Sequence, residues 1–180
     1  MGAPKLFGNR LDGTLPAWSW IFFLPLHLCT HLLWHLTCRL SSESKQDTVT
    51  DNLVIGRRLM GGEVCREFDT VIDLTFEFME PRAVRKTGGY RCYPLPDRSA
   101  PSAAELLEMV RSVAVGRICV HCAQGPGRTG LFAIAMLLHR GVVPSVEEGL
   151  KKLQSDRPRL QMSAVQHRCL EEFALLIKRA

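Results

Sequence analysis

A chain of 180 residues, 46% of them hydrophobic, is long enough for one domain with a full core and a modest appendage. Its net charge of +5 suits anionic ligands or an acidic membrane surface, but Lys and Arg are scattered, without a basic run interleaved with aromatics, so nucleic acid is excluded as the expected partner. Seven cysteines, an odd count with no framework spacing, argue against a disulfide-stapled fold and for a reducing compartment.

The first 40 residues form a hydrophobic or amphipathic segment. Ala17 to Cys38 contains no Asp, Glu, Lys or Arg and carries Trp18, Trp20 and Trp34. As a helix at about 1.5 Å per residue it would just cross ~30 Å of hydrocarbon. Pro25 interrupts it, however, and His27, His31 and His35 fall on one side with Thr30 and Thr37, opposite Leu26, Leu28, Leu32, Leu33 and Leu36. That pattern fits an anchor that spans the membrane or lies on it, the leading expectation, or a helix packed on the rest of the chain. A cleaved leader is disfavoured by the length and the missing A-x-A site. Zinc on the histidines is disfavoured because no carboxylate partner is visible. Lys5 and Arg10 before the segment balance Arg39 and Lys45 after it, so no orientation follows.

Residues 41–51 are polar and read as a linker, leaving 52–180 as an α/β domain, and a chain starting near Ser44 is expected to be soluble and to work without the segment before it. Strands are predicted at 53–56 (LVIG), 70–75 (TVIDLT), 90–94 (YRCYP) and 117–120 (RICV), some of them parallel. Capping boxes announce three helices. Ser102 with Glu105 opens a helix predicted to run to Gly116, Ser145 with Glu148 opens one that stops before Pro158, and Ser163 with Gln166 opens the last. Gly141 closes a further helix, LFAIAMLLHR.

The stretch VHCAQGPGRTG, residues 120–130, carries the chemistry. A strand that feeds a glycine-rich loop and then a helix N-terminus makes an anion cup, because successive N–H groups and the helix dipole converge on it. Ala123, Gln124, Gly125, Pro126, Gly127 and Arg128 form the expected phosphate-binding loop, and the planar fork of Arg128 is suited to two phosphate oxygens. The same field favours the thiolate form of a cysteine at the base of the cup. Cys122 is therefore the expected nucleophile towards a bound phosphomonoester, by way of a phosphocysteine. Thr129 is expected to donate a hydrogen bond to the sulfur, and His121 to orient the loop. Cys119 and Cys122 also form a C-x-x-C, but strand positions i and i+3 face opposite ways, which disfavours zinc or a redox pair.

His-Cys, five residues, then Arg-Thr-Gly resembles the signature of cysteine-based protein tyrosine phosphatases. The short domain and its three capped helices are most similar to the dual-specificity branch. The resemblance covers roughly Asn52 to Ala180. It implies a small, mostly parallel central sheet flanked by helices, and a need for a general acid, since an alkoxide leaves poorly unprotonated. Asp97, in YPLPDRSAPS, stands after one strand and before the helix leading to the cup, which suits that role. Asp73, inside a strand, reads as structural. Arg157 and Arg159 read first as solvated charges after a helix, with the edge of the substrate mouth as the alternative, Arg98 as a substrate contact or a solvated charge, and Gln166 as part of its cap; no role is assigned to Gln161.

The expected function is thus phosphomonoester hydrolysis by a dual-specificity protein phosphatase, with no cofactor and no metal. The alternatives are a phospholipid or phosphoinositide phosphatase at a membrane, and a phospho-binding module without turnover. The expected substrate is a phosphoprotein or a phospholipid, and the expected place is a membrane with the active site on the cytoplasmic side, or else the soluble cytoplasm.

Overall fold

Three apolar runs in this chain are too short for helices and too uniformly apolar for a half-exposed sheet. In the computed structural model they are the buried middle of a five-stranded sheet. The structure describes residues 8, 10, 12–60, 63 and 68–179. The strands are β1 (Gln46–Thr50), β2 (Leu53–Arg57), β3 (Thr70–Thr75), β4 (Tyr90–Leu95) and β5 (Ile118–Cys122), in the order β1-β2-β5-β3-β4. β2, β3 and β5 are buried at every position, as parallel strands covered on both faces must be. All pairings are parallel except β1 with β2. Because β2, β3, β4 and β5 run the same way, their carboxyl ends share one edge. That edge holds the site.

The helices are α1 (Ala17–Leu40), α2 (Arg82–Arg85), α3 (Ala103–Arg111), α4 (Arg128–His139), α5 (Val146–Asp156) and α6 (Ala164–Arg179). α4 is the central helix, packed against α3, α5, α6 and the sheet, with every residue from Arg128 to Leu138 buried. A smaller apolar cluster that includes Val54, Val71, Val84 and Cys119 fills the opposite face.

The predicted caps form. Ser102 and Glu105 exchange both capping bonds, as do Ser163 and Gln166, and the Ser145 hydroxyl accepts from the Glu148 N–H at 3.2 Å. Gly141, at φ +67°, ends α4 in a Schellman motif, with Val142 N–H bonding the Leu137 carbonyl and Gly141 N–H that of Leu138. α3 stops at Arg111 rather than at Gly116. The Ser112 hydroxyl turns back to the Met109 carbonyl at 2.7 Å and meets the Tyr93 hydroxyl, and this local bonding competes with another helical turn.

Two sequence expectations change. The polar stretch 41–51 is not merely a linker, since Gln46–Thr50 forms β1 on the edge of the sheet. Alternating polar residues hid it, because only Val49 points into the core. The segment before it is one kinked helix, α1, with non-helical angles at Phe23, two residues ahead of Pro25. Among the described residues it is the helix long and apolar enough to cross a membrane. One side of it nevertheless packs on the domain through Trp34 and His31, whose ring stands 5.0 Å from that of Phe78, while Ser19 and His27 are buried beside each other within the helix.

Trp34 makes the decisive contact. It is 4% exposed, packs with Phe78 and Ala123, and donates its indole N–H to the Ala123 carbonyl at 2.8 Å. The Arg58 guanidinium lies 4.9 Å from the rings of both Trp34 and Phe78 and pairs with buried Glu80. A chain beginning near Ser44 would leave this patch bare. Trp34→Ala is therefore expected to lower the unfolding free energy by about 3–5 kcal/mol, the range for a buried aromatic. Urea denaturation of the full chain measures it, and a loss below about 1 kcal/mol would mean that α1 contributes nothing to the fold.

Candidate active site

The central strand β5 delivers Cys122 to the sheet edge, and α4 starts six residues later at Arg128. The intervening loop turns back on itself. The Gly125 N–H points at the Cys122 sulfur, with N to Sγ at 3.2 Å, and the sulfur is buried at the base. Gly125 has φ +98°, which side-chain-bearing residues rarely adopt, and a Cβ there would collide with the Arg157 guanidinium.

Arg128 opens α4 and is 2% exposed. Its guanidinium is held by groups at the carboxyl ends of two strands, β3 and β4. Nη1 donates to the Leu95 carbonyl at 2.9 Å, the Leu74 carbonyl at 3.3 Å and Glu77 Oε2 at 2.8 Å, while Nη2 donates to Glu77 Oε1 at 2.6 Å. Burial alone would weaken its hold on the proton. The two-pronged bond to Glu77, with the charges of Cys122 and Asp97 nearby, outweighs burial and raises the pKa above its ordinary value. Arg128 is thus a fixed cation at the cup.

Asp97 follows β4 and reaches the same place. Its carboxylate is 73% exposed on the cleft, with Oδ1 3.8 Å from Arg128 Nε. The loop that carries it is latched to the start of α6. Ser163 Oγ donates to the Arg98 carbonyl at 2.7 Å and Gln166 Nε2 to the Ser99 carbonyl at 3.1 Å. Arg98 sits at φ +59°, a position held by these latches. Gln166 therefore serves its cap and also ties down the Asp97 loop, which spacing alone did not reveal.

Other expectations divide. Thr129 Oγ1 is buried and has no hydrogen-bond partner among the described residues, so the expected bond to the Cys122 sulfur is not made here; the Gly125 N–H reaches the sulfur instead. His121 is buried under the loop, its Nδ1 4.0 Å from Asp73 Oδ1 and without a hydrogen bond. Asp73 is structural as expected. Its oxygens accept from the Thr75 N–H and hydroxyl at 2.8 and 2.7 Å and from the Tyr90 hydroxyl at 2.8 Å.

The reading of Arg157 as a solvated charge is corrected. It is fully buried beneath the loop, with Nε donating to Asp47 Oδ2 at 2.8 Å and Nη2 to the Ser44 carbonyl at 2.7 Å. Its partners lie in the stretch taken for a linker, so the pairing spans 110 residues and had no local trace. Arg159 is exposed at the cleft, as is Arg98.

Asp73, Glu80 and His121 bring ligand-type atoms within 4.8 Å of one another. Asp73 is already committed to Thr75 and Tyr90, and Glu80 to Arg58. Burial raises the Glu80 pKa above the usual carboxylate value, against the pull of nearby His121 and Arg58. Such a set does not fit a metal.

Glu77 and Trp34 are the residues that sequence reasoning missed. Glu77 had a usable signal, since it follows β3 at the carboxyl edge where parallel sheets gather ligand-binding groups. Together these side chains surround a cleft of about 480 Å³, floored by Cys122 and Arg128 and walled by Asp97, Glu77, Gln166 and, from α1, Trp34.

Among solved structures the chain is similar to Tk-PTP in its active form, with 25% identity, 73% of this chain and 97% of that one covered and a TM-score of 0.64. PTPMT1 in complex with PI(5)P matches at 18% identity over 76% of this chain and 98% of that one, with a TM-score of 0.65. Human DUSP28 matches at 14% identity over 77% and 99%, with a TM-score of 0.63. These last two likenesses show the dual-specificity fold. No curated protein matches the sequence. The family model described as protein-tyrosine phosphatase matches residues 73–175, more than half of the chain and including the whole cup, so this chain belongs to the protein-tyrosine phosphatase family.

Proposed function

We propose that the chain hydrolyses phosphomonoesters through a phosphocysteine on Cys122. The observation that carries the reading is the thiol at the floor of the cup, met by the Gly125 N–H at 3.2 Å and flanked by a buried, ion-paired arginine. In the first step the Cys122 sulfur attacks phosphorus, an S–P bond forms and the ester P–O bond breaks. Asp97 gives its proton to the departing oxygen. Water then attacks phosphorus, Asp97 takes the water's proton, and the S–P bond breaks to return the thiolate and release phosphate. The loop amides and Arg128 hold the equatorial oxygens throughout. Buried Thr129, with its hydroxyl uncommitted, is the proposed donor to the leaving sulfur, and His121 supports the loop from below.

The loop Ala-Gln-Gly-Pro-Gly carries no cation besides Arg128, which favours a substrate with a single phosphate. A dual-specificity protein phosphatase is one reading of this, supported by the likeness to DUSP28. A lipid phosphomonoesterase is the other; a PTPMT1 structure holds PI(5)P, and in this chain an apolar helix walls the cleft.

Acid quench during turnover of p-nitrophenyl phosphate should trap one phosphate, mapped by mass spectrometry to Cys122; a phosphate on any other side chain overturns the mechanism. Asp97→Asn should lower kcat by roughly 10²–10⁴ on alkyl or tyrosyl phosphates and much less on p-nitrophenyl phosphate, whose leaving group needs little protonation. Equal losses on all substrates would remove Asp97 from the acid role.

A further inference from the structure

The cleft is floored by Cys122 and Arg128 and walled on one side by α1. On that side the cleft continues into a second hollow of about 430 Å³, the two sharing Leu33, Thr37, Gln124, Pro126 and Arg159. Leu36 and Leu40 extend the hollow beyond Leu33. A phosphate seat and a strip of leucines therefore occupy one continuous groove. The strip is open to water, with Leu33 58%, Leu36 47% and Leu40 85% exposed.

The strip also passes around the helix onto its outer side, where Ile21, Phe22, Leu28 and Leu32 are 61–77% exposed. No charge interrupts residues 17–38. An apolar surface of this extent marks an interaction site. The inner side of α1 is already taken, because Trp34 is bonded to the Ala123 carbonyl of the cup. A helix held this way cannot cross a bilayer without leaving the active site, but it can lie along one. Arg98 and Arg159 stand exposed at the mouth of the cleft, Arg39 is at the end of α1, and the whole chain carries +5, all complementary to an anionic lipid surface.

We propose that the substrate is a phospholipid bearing a terminal phosphomonoester, taken from a bilayer on which the outer face of α1 lies. Its apolar part runs along Leu33, Leu36 and Leu40 while its phosphate enters the Cys122 cup. This rests on the phosphocysteine reading. The step is the one already described, with the lipid alcohol as the leaving group that receives the Asp97 proton.

The test uses the full chain and phosphatidylcholine vesicles with and without phosphatidic acid, beside glycerol 3-phosphate, a phosphotyrosine peptide and p-nitrophenyl phosphate. The chain should float with the phosphatidic acid vesicles. Its kcat/KM on vesicular phosphatidic acid should exceed that on glycerol 3-phosphate by on the order of 100-fold, since the groove recognises the part that glycerol 3-phosphate lacks. Leu28→Glu with Leu32→Glu, both at exposed positions, should abolish flotation and lower the ratio of lipid to p-nitrophenyl phosphate turnover at least tenfold, by roughly the energetic weight of lost apolar contact. Leu36→Asn should lower the same ratio while the protein still floats.

A phosphotyrosine peptide turned over as well as the vesicular lipid overturns the proposal. So does a full chain that ignores vesicles and instead self-associates through this face, becoming monomeric with Leu32→Glu in size-exclusion chromatography. If p-nitrophenyl phosphate is hydrolysed through Cys122 while the lipid is ignored, only this inference falls. If nothing is hydrolysed and Cys122 is never phosphorylated, the phosphocysteine reading falls with it.

Discussion

Cys122→Ser is expected to abolish measurable turnover while leaving phosphate binding within a few-fold of the parent chain. The sulfur is one atom of a cup whose other contacts come from loop N–H groups and Arg128, which stays ion-paired to Glu77 whether or not a thiol is present. A serine hydroxyl keeps the space but is a far weaker nucleophile in the absence of a base. Product inhibition by inorganic phosphate and a binding titration with it give the two readouts. Residual turnover above about one per cent of the parent rate would show that another group attacks phosphorus. Loss of phosphate binding as well would show that the substitution had collapsed the loop.

Glu77→Ala is expected to lower stability and rate together. Glu77 holds Arg128 with bonds of 2.6 and 2.8 Å, and Arg128 is 3% exposed through its side chain. Removing one partner of a buried pair strands the other charge, at a cost on the order of 3 kcal/mol. Leu74 and Leu95 still offer their carbonyls, so the guanidinium remains under the cup but without the two-pronged bond that sets its plane. A shift of about 1 Å in a positioning group costs roughly 10²-fold in kcat. Urea denaturation reads the first effect and p-nitrophenyl phosphate turnover the second. Unchanged kcat in a folded variant would mean that the carbonyls alone position Arg128. Glu77→Gln keeps the shape without the charge and should fall between the variant and the parent.

The cup was legible in the sequence because its parts are contiguous. Cys122, the glycines at 125 and 127 and Arg128 lie within one strand-loop-helix turn, where backbone geometry alone aims the N–H groups at one point. The caps were legible for the same reason, since Ser102 reaches Glu105, and Ser163 reaches Gln166, across a single turn of helix. Asp97 required one further inference, that strands running the same way bring their carboxyl ends to one edge; the observed order β2-β5-β3-β4 is parallel throughout.

The rest depended on separations that no local pattern encodes. β1 is polar at four of its five positions, and only pairing with β2 makes a strand of it. Arg157 looked like a surface charge until the fold placed Asp47 and the Ser44 carbonyl beside it, because a buried guanidinium is stable only where distant groups accept its protons. Trp34 meets Ala123 across 89 residues, and that contact separates a helix that lies beside the active site from one that would leave it. The sequence alone determined the cup from Cys122 to Arg128, whose parts are neighbours in the chain, and pointed to Asp97 through the order of the strands. Tertiary structure decided what holds Arg128, what lies beneath the loop and which helix walls the cleft, because burial and counter-charge arise only when remote segments meet.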